Sequence, residues 1–457
     1  MERVSNFDFG KDTDVARKIL DNRRAVICIV GIGGISCAAL AEHLNASGYC
    51  VFGSDDVRSE RTGRLEGLGI QVSYPNLSLN LSGADLLVYS LAVSEDEPPV
   101  SVARSLGIPT VPRAALLGAV MQDFRIRIGV AGSHGKSTTV AMIAEMLRFI
   151  GERPTVFSGA ELGGGSSYLC GERDYLVLEE CEYRDSFLRL SPTALVATNI
   201  ELDHTDYFES TEALRESFRK ALSDSPAYSI NIDDEISRSI AGELRSPLLF
   251  GKGEEADLRY TEPMYTKRGI TTSLSYHGRK IRLDIASRAL HDGANAAAAV
   301  AALLSAGIDF ERLDGALRDY RGPSRRCELL RYIYGRAVYY DYAHHPTEIA
   351  STIRTLRDYH GTVTVIFRPH TYTRTRDLWQ GFVSALSLSD FVGILDIYPA
   401  RERPLEGITS ERLAEAVGGE YLDFCSAAKW AVERCKGAIV LMGAGEVDSV
   451  RDTLLRY

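Results

Sequence analysis

One short segment constrains the fold of this 457-residue chain more than any other: Gly-Ser-His-Gly-Lys-Ser-Thr-Thr, at positions 132–139. It follows a β-branched run at residues 127–131 and precedes a predicted helix that runs through Phe149. A glycine-rich turn between a strand and a helix directs backbone N–H groups and the positive helix end toward one point, which suits a phosphate. Val130 stands where the strict G-x-x-x-x-G-K-[ST] pattern has its first glycine. An ordinary strand–helix turn is the alternative, but Gly-Lys-Ser-Thr favours nucleotide binding.

Starts of this strand–turn–helix kind occur in three parts of the chain. An apolar strand at residues 25–30 leads into Gly31, Gly33 and Gly34, and a further set of strands begins after residue 321. Strands that alternate with helical stretches predict parallel sheets covered by helices, which is an α/β fold. A chain of 457 residues also exceeds the size of one hydrophobic core. Three domains are therefore predicted, at residues 1–122, 123–322 and 323–457.

The first glycine turn resembles a dinucleotide-binding fingerprint in which Ser36 replaces the third glycine. Asp55 follows about twenty residues later at a strand end, where an acid would bind a ribose. The turn is weak evidence for a nicotinamide cofactor and suits any nucleotide diphosphate at a helix N-terminus equally well. A tight turn without a ligand is the third interpretation.

Two acidic clusters follow strands of the middle region, Glu-Glu-Cys-Glu-Tyr-Arg at 179–184 and Asn-Ile-Glu-Leu-Asp-His at 199–204. In a doubly wound sheet, the carboxyl ends of the strands meet at the crevice that the phosphate-binding turn also faces. Mg²⁺ prefers carboxylate oxygens together with phosphates and waters. Either cluster alone could be a solvated acidic loop, but with the turn upstream they predict a Mg²⁺ site.

Arginine, histidine and tyrosine concentrate in the last third of the chain, at Arg325-Arg326, at 341–346 (Asp-Tyr-Ala-His-His-Pro) and at 368–376. Such groups at strand ends suit carboxylate and phosphoryl oxygens, which arginine binds in a bidentate way. His344 and His345 could instead hold a metal ion. Neighbouring side chains in a strand or loop point apart, however, so one functional and one structural histidine is the favoured interpretation.

Composition excludes several classes of protein. The net charge of −10 gives no electrostatic footprint for nucleic acid or an anionic membrane. No apolar run reaches the roughly 18–20 residues that span a bilayer, and no secretory signal is visible at the N-terminus. The eight cysteines form no C-x-x-C pair, so buried, reduced thiols and a cytoplasmic location are expected.

Five motifs together resemble the Mur ligase family: G-S-H-G-K-S-T-T, E-E-C-E-Y-R, T-N-I-E-L-D-H, D-Y-A-H-H-P-T-E-I and R-P-H-T-Y-T-R-T-R-D-L. The resemblance covers nearly the whole chain, and the last two motifs are those of the alanine-adding member. It implies an N-terminal Rossmann-like domain for a UDP substrate, a central P-loop ATPase domain, and a C-terminal Rossmann-like domain that closes over ATP and the amino acid. The implied enzyme phosphorylates the carboxylate of UDP-N-acetylmuramate with ATP and Mg²⁺, and L-alanine then attacks the acyl phosphate. A monomer or weak homodimer is expected.

The resemblance also implies roles for individual residues. The implied catalytic residues are Lys136, His204, Arg326 and His345. Binding of ATP falls to Gly132, Ser133, His134, Gly135, Lys136, Ser137, Thr138, His291, Asn295, Arg326, Asp341 and His344. Binding of the UDP substrate falls to Gly31, Gly33, Gly34, Ser54, Asp55 and Ser90. The amino-acid pocket is assigned to Tyr342, His345, His370 and Arg374, and the Mg²⁺ ligands are Ser137, Glu179 and His204.

Three alternatives remain open. A recycling ligase of the same family joins UDP-N-acetylmuramate to a ready-made tripeptide, although it should lack P-H-T-Y-T-R-T-R as written. A nucleotide-binding regulatory protein could keep the fold without turnover, and a dehydrogenase would rest on the first glycine turn alone. Several positions depart from the family pattern: Ser36 replaces a glycine, Leu91 a polar residue, Asp292 an asparagine, Cys327 a phenylalanine, and Pro323-Ser324 a valine–lysine pair.

Overall fold

The computed structural model describes residues 9–90, 93–94, 96–202, 207–400, 402–443 and 447–457. They form three sheets in chain order, of five, eleven and six strands. All three sheets are mostly parallel, so the predicted three-domain α/β architecture is confirmed. The domain boundaries near 122 and 322 stay a prediction, and they fall between the strands of neighbouring sheets.

The N-terminal sheet has five parallel strands in the order β3-β2-β1-β4-β5. Its helices lie on both faces, as expected for strands joined by crossover helices. The elements are α1 (Phe9–Leu20), β1 (Val26–Val30), α2 (Ile35–Ala46), β2 (Cys50–Ser54), α3 (Glu60–Gly67), β3 (Gln71–Ser73), a 3₁₀ turn (Asn76–Ser78), β4 (Leu86–Tyr89), α4 (Pro98–Ser105), β5 (Thr110–Pro112) and α5 (Arg113–Met121).

The central sheet runs β14-β15-β13-β12-β11-β10-β6-β9-β7-β8, and β16 pairs with β15. Its first half is β6 (Ile126–Ala131), α6 (Lys136–Phe149), β7 (Pro154–Phe157), β8 (Tyr168–Leu169), β9 (Glu172–Glu179), 3₁₀ turns (Tyr183–Arg189), β10 (Ala194–Ala197), α7 (Thr211–Ser223), β11 (Ala227–Asn231) and α8 (Glu235–Ala241). The second half is β12 (Leu248–Gly251), β13 (Leu258–Tyr260), β14 (Met264–Thr266), β15 (Gly269–Tyr276), β16 (Arg279–Ile285), α9 (Asp292–Ser305) and a 3₁₀ turn (Phe310–Leu313).

The C-terminal sheet has the order β17-β18-β22-β19-β20-β21, and only β17 is antiparallel to its neighbour. Its elements are β17 (Glu328–Ile333), β18 (Arg336–Asp341), α10 (Pro346–His360), β19 (Val363–Arg368), α11 (Tyr372–Asp377), α12 (Trp379–Leu386), β20 (Phe391–Ile394), α13 (Ser410–Ala416), β21 (Glu420–Tyr421), α14 (Ala427–Arg434), β22 (Ala438–Gly443) and α15 (Asp448–Leu454).

Helix α9 is the most buried helix beside the nucleotide-binding turn. Its sequence, Asp-Gly-Ala-Asn-Ala-Ala-Ala-Ala-Val-Ala-Ala-Leu-Leu-Ser, is rich in alanine, and residues 296–303 are all buried. Small side chains let the helix lie close to α6 and to strands β10 and β11. Close packing also holds its first turn, because a Cβ atom on Gly293 would lie 2.1 Å from Cγ of Pro263.

Cysteine burial is only partly as predicted. All eight cysteines are free thiols, and Cys28, Cys37 and Cys435 are buried as expected. The expectation is wrong for Cys50, Cys170 and Cys425, which are exposed: Cys50 is the first residue of β2, and the other two lie in loops. No helix among the described residues is both long and apolar enough to cross a lipid bilayer.

Candidate active site

The glycine-rich turn joins β6 to α6 in a conformation that only glycine suits. Gly132 has φ +136° and Gly135 has φ +80°. A Cβ atom would lie 2.1 Å from Oγ1 of Thr198 at the first position and 2.2 Å from Oδ1 of Asn295 at the second. Both glycines are therefore required by the left-handed backbone and by the close approach of β10 and α9.

Asn199, directly after β10, holds the turn in place. Its Oδ1 accepts the backbone N–H of His134 at 2.9 Å, and its Nδ2 donates to the carbonyl of His134 at 2.9 Å. Its own carbonyl accepts the N–H of Ser133 at 2.9 Å. The Ser133 hydroxyl donates to the carbonyl of Glu201 at 2.8 Å. The turn and the second acidic cluster thus form one hydrogen-bonded unit.

Lys136 begins α6 and is nearly buried. Its Nζ lies 3.1 Å from Oε2 of Glu182 and also donates to the carbonyls of Gly132 and Ser133. Burial by itself lowers the pKa of Lys136, but the carboxylates of Glu182 and Glu179 and the thiol of Cys181 together outweigh burial and raise the pKa above its usual value. Lys136 is therefore a cation at neutral pH.

Ser137, Glu179 and Arg326 meet beside this lysine. The Ser137 hydroxyl donates to Oε2 of Glu179 at 2.7 Å, and Nη2 of Arg326 lies 3.5 Å from the same hydroxyl. The Nε atom of Arg326 is buried and has no hydrogen-bond partner in the described part of the chain. The oxygens of Ser137 and Glu179 suit Mg²⁺. The unpartnered N–H of the Arg326 guanidinium suits a phosphoryl oxygen. His204, the third predicted ligand, lies outside the described residues.

His134 connects the central and C-terminal sheets. Its Nε2 is 3.0 Å from Oε2 of Glu201, and its Nδ1 is 3.2 Å from Oε1 of Glu348, in the first turn of α10. Burial lowers the pKa of His134, but hydrogen bonds to Glu201 and Glu348 outweigh burial and raise it to about 9. The hydrogen bond from His134 lowers the pKa of Glu201. At neutral pH the three groups are an imidazolium between two carboxylates.

A cavity of about 920 Å³ lies between the central and C-terminal sheets. Seven predicted nucleotide-binding residues line it: His134, Gly135, Thr138, His291, Asn295, Arg326 and Asp341. Burial raises the pKa of the Asp341 carboxyl although the Thr352 hydroxyl donates to it at 2.5 Å. The cavity therefore brings most of the predicted ATP set together.

Two of the departures from the family pattern, Asp292 and Cys327, lie at this cavity. Oδ1 of Asp292 accepts a hydrogen bond from Nδ2 of Asn295 at 3.0 Å, and Oδ2 accepts one from the Ser287 hydroxyl. Asp292 thus orients Asn295 against the turn. Cys327 lines the cavity and packs against the C-terminal core, and burial raises the pKa of its thiol well above the usual value.

The two adjacent histidines face different partners. Nδ1 of His344 lies 3.0 Å from the carbonyl of Tyr342, and its ring centroid is 6.3 Å from that of His370. His345 instead lies against His134, with ring centroids 4.7 Å apart. His370 and Arg374 are joined by a contact of 3.3 Å between Nδ1 and Nη1. The predicted amino-acid residues therefore fall into two groups, with His345 on the side of the phosphate-binding turn.

In the N-terminal sheet, side chains from after β2 and from α3 bond to the first glycine turn. Oδ2 of Asp55 accepts the N–H of Gly33 at 2.8 Å, and Arg61 donates to the carbonyl of Gly33 at 2.5 Å. Ser54 is buried, and its hydroxyl has no partner among the residues described. The Cβ atom of Ser90 lies 3.8 Å from where a Cβ atom on Gly31 would be. The residues predicted to bind the UDP substrate therefore lie together at the carboxyl ends of β1, β2 and β4.

Glu348 and Glu182 were not predicted as site residues. Glu348 accepts the backbone N–H groups of His344 and His345 at 3.2 Å and 3.4 Å, as in a capping box. Glu348 lies three residues after His345, in a helix that begins at Pro346. This spacing is a sequence pattern that could have identified the cap. Its contact with His134 is 214 positions away in sequence, and no local pattern predicts that contact.

Three family models match the chain in order. "Mur ligase family, catalytic domain" matches residues 26–125, "Mur ligase middle domain" matches 130–303, and "Mur ligase, glutamate ligase domain" matches 325–445. A curated UDP-N-acetylmuramate–L-alanine ligase of Caldanaerobacter subterraneus is 34% identical over 447 residues, covering 94% of this chain and 97% of the relative. Another, of Caldicellulosiruptor saccharolyticus, is 36% identical over 453 residues, covering 93% and 97%.

Solved structures show the same architecture. UDP-N-acetylmuramate–alanine ligase from Thermotoga maritima superposes with a TM-score of 0.80 at 25% identity, covering 94% of this chain and 98% of that one. A murein peptide ligase from Psychrobacter arcticus gives a TM-score of 0.72 at 20% identity, with coverage of 94% and 98%, which shows the fold alone. A phosphate-binding turn that faces a cavity between two α/β domains defines a nucleotide-dependent enzyme. The chain belongs to the Mur ligase family, and it is an ATP-dependent ligase that forms a carbon–nitrogen bond.

Proposed function

We propose that this ligase joins L-alanine to the carboxylate of UDP-N-acetylmuramate through an acyl-phosphate intermediate. The observation that carries the proposal is the identity of about 35% with relatives of that name over more than nine-tenths of both chains. The PHTYTRTR segment and the paired histidines support alanine rather than a tripeptide as the acceptor. A cytoplasmic location and a monomeric or weakly dimeric state are part of the same proposal.

ATP would bind in the cavity between the central and C-terminal sheets. The backbone of the glycine-rich turn and the N-terminus of α6 offer N–H groups to the phosphates. His291 and Asn295 would contact the adenine, and Asp341 and His344 would contact the ribose or phosphates; of these four, His291, Asn295 and Asp341 line the cavity. Lys136 would exchange Glu182 for a phosphate oxygen, since its ammonium group already lies at the turn.

Mg²⁺ fits the oxygen donors of Ser137 and Glu179, whose contact of 2.7 Å places two suitable ligands side by side. His204 completes the proposed set on the basis of its motif. When bound, the ion supplies positive charge that offsets the repulsion between a phosphate and a carboxylate.

In the proposed reaction, a carboxylate oxygen of the substrate attacks the γ-phosphorus, and the bond to the ADP oxygen breaks. The Arg326 guanidinium, with its unpartnered Nε, would bind the transferring phosphoryl group and stabilise the charge that develops on it. The alanine amine then attacks the acyl carbon and loses a proton, and inorganic phosphate leaves. Lys136 and Arg326 would remain with the departing phosphate.

Tyr342, His370 and Arg374 are proposed to bind the alanine carboxylate, because arginine and imidazole groups offer paired donors to such an anion. His345 would face the amine from the side of the phosphate-binding turn. In the N-terminal sheet, Gly31, Gly33 and Gly34 would bind the diphosphate, with Ser54, Asp55 and Ser90 near the uridine.

A coupled assay of ADP release tests this function. We expect turnover with UDP-N-acetylmuramate and L-alanine, less with L-serine or glycine, and none with the tripeptide. Turnover with the tripeptide alone would identify the recycling ligase, and binding of ATP and the UDP substrate without turnover would identify a regulatory protein. Substrate labelled with ¹⁸O in the carboxylate should transfer one labelled oxygen to the released phosphate. Unlabelled phosphate would contradict the acyl-phosphate route.

A further inference from the structure

Three side chains of metal-ligating types lie together between the central and C-terminal domains: His134, Glu201 and His345. One nitrogen or carboxylate oxygen of each lies within 4.8 Å of those of the other two. Nε2 of His134 is 3.0 Å from Oε2 of Glu201, and Nδ1 of His345 is 3.7 Å from the same oxygen. Nδ1 of His345 also accepts the backbone N–H of Thr347 at 3.4 Å, a bond that coordination through this nitrogen displaces. Zinc binds such ligands at about 2.0–2.2 Å, which requires neighbouring ligand atoms roughly 3.3–3.5 Å apart. Shifts on the order of 1 Å convert this cluster into a coordination site.

The side chains behind the cluster favour coordination as well. A histidine that binds a metal through one ring nitrogen usually donates its other N–H to a carboxylate, which fixes the ring. Nδ1 of His134 lies 3.2 Å from Oε1 of Glu348 and leaves Nε2 facing Glu201 and His345. Glu348 is itself held by the backbone N–H of His344 at 3.2 Å. The arrangement therefore has a carboxylate that orients a ligand histidine.

We propose that His134, Glu201 and His345 bind a divalent transition-metal ion of the zinc type at a site separate from the Mg²⁺ ligands of the reaction. Two imidazoles and one carboxylate are a donor set that zinc, cobalt and nickel prefer, whereas Mg²⁺ prefers oxygen ligands alone. The proposal concerns binding of an ion by the free protein. It does not depend on which acceptor the ligase uses.

Binding of this ion has a mechanical consequence. His134 and Glu201 belong to the central domain and His345 to the C-terminal domain, so the ion joins the two domains at the edge of the nucleotide cavity. It also withdraws His134 and His345 from the roles proposed for them with substrate. The ion displaces the proton between His134 and Glu201, so its binding releases protons into the buffer. Zinc should therefore inhibit the ligase in the presence of excess Mg²⁺.

The test uses the full-length protein with saturating Mg²⁺ and no substrate. Co²⁺ is added as a spectroscopic probe, and the visible absorption of tetrahedral Co²⁺ bound through nitrogen and oxygen is recorded. We expect saturation at one ion per chain, displacement by Zn²⁺, and no thiolate-to-cobalt charge-transfer band. Calorimetry of Zn²⁺ binding in buffers of different ionisation enthalpy should show proton release.

Variants assign the ion to these residues. His345→Ala should abolish the tetrahedral spectrum. Glu348→Gln, which keeps all three ligands, should weaken Zn²⁺ binding roughly 10- to 100-fold. His277→Asn, which removes an exposed imidazole from the β15–β16 turn, is the matched control and should bind as the parent does.

Two outcomes would overturn the proposal. One is a Co²⁺ spectrum with thiolate charge transfer, which would place the ion on an exposed cysteine such as Cys50, Cys170 or Cys425. The other is Zn²⁺ affinity that is unchanged in both His345→Ala and Glu348→Gln. Because these readouts need no substrate, their failure would leave the proposed ligase reaction intact. Absence of ligase turnover in a protein that still binds the ion would count against the proposed ligase reaction and leave the ion site intact.

Discussion

Nδ1 of His134, in the phosphate-binding turn, lies 3.2 Å from Oε1 of Glu348, at the start of a helix of the C-terminal domain. The same carboxylate group lies 3.8 Å from Nη1 of Arg326. Burial raises the pKa of Glu348, but the hydrogen bond from His134 and the nearby charges of His344 and Arg326 outweigh burial, so the pKa is well below its usual range. One buried carboxylate therefore positions the turn, Arg326 and the first turn of α10 relative to one another.

Replacement of this carboxylate should loosen the site without unfolding the protein. We expect Glu348→Gln to lower kcat/KM for ATP by about 10- to 100-fold, because a displacement of about 1 Å in a catalytic group has effects of this size. The circular dichroism spectrum should be that of the parent. Glu415→Gln, at an exposed position of α13, is the control. Parent-like kinetics for Glu348→Gln would remove Glu348 from the site.

Lys136 and Glu182 form a buried ion pair. Two variants can separate the effect of Lys136 on the free energy of unfolding from its effect on turnover. Lys136→Met leaves the Glu182 carboxylate buried without its cation and should lower the free energy of unfolding by about 3–5 kcal/mol. Adding Glu182→Gln should restore most of that loss, whereas turnover should be absent from both variants. Differential scanning calorimetry and the ADP assay measure the two effects, and Lys220→Met at an exposed site is the control. Recovery of turnover in the double variant would contradict the role proposed for Lys136.

Gly135 should tolerate no side chain. A Cβ atom there meets Oδ1 of Asn295 at 2.2 Å, while at Gly151, with φ +93°, nothing lies within 4 Å. Gly151→Ala thus measures backbone strain alone, about 1 kcal/mol, and should keep its affinity for ATP. Gly135→Ala should bind a fluorescent ATP analogue at least tenfold more weakly. Equal affinities of the two variants would show that the contact with Asn295 has no influence on the turn.

Glu179 is expected to set the requirement for Mg²⁺. Glu179→Gln keeps the hydrogen bond from Ser137 but removes the charge, so half-maximal activity should require at least tenfold more Mg²⁺. A titration of activity against Mg²⁺ at saturating ATP measures this shift. Glu161→Gln, whose side chain shows no ion pair in the described structure, is the comparison. An unchanged titration would exclude Glu179 from the Mg²⁺ ligands.

His43 should make the protein sensitive to acid. It is packed among Phe124, Phe157 and Tyr168, and burial lowers its pKa from 6.5 to about 4. The unfolded chain binds a proton below about pH 6.5, but the folded chain binds it only near pH 4. The stabilising contribution is therefore complete above pH 6.5 and is lost as the pH falls to 4, about 3 kcal/mol in total.

The variant His43→Gln can still bond to the Tyr168 hydroxyl, which lies 3.1 Å from Nδ1 of His43, but it cannot titrate in this range. Urea unfolding at about pH 7 and about pH 5 should show a smaller acid-induced loss for the variant than for the parent. His277→Asn is again the control. Equal losses in parent and variant would show that His43 is not the group responsible.

Local patterns in the sequence predicted most of the elements that carry the site. The β-branched run and glycine turn at 127–139 became β6, the turn and α6. These features follow from periodicity and from the conformational freedom of glycine, which act over a few residues.

Contacts between distant segments could not be predicted in the same way. Glu348 reaches His134 across 214 positions, and Lys136 reaches Glu182 across 46. Asp55 shows the same limit: its position matches a ribose-binding acid, yet its carboxylate accepts the backbone N–H of Gly33, in the turn after β1. Only the three-dimensional packing of the sheets decides which of several nearby donors a carboxylate binds.

The alanine-rich helix α9 makes the nucleotide cavity dependent on residues that contact no ligand. Because protein interiors are close-packed, we expect a bulkier side chain at Ala298 or Ala301 to displace the backbone of α9. Asn295 lies on the same helix, and its side chain already approaches Gly135 so closely that a Cβ atom there would clash. Temperature-sensitive variants of this ligase are therefore expected along the buried face of α9 as well as among the side chains that line the cavity.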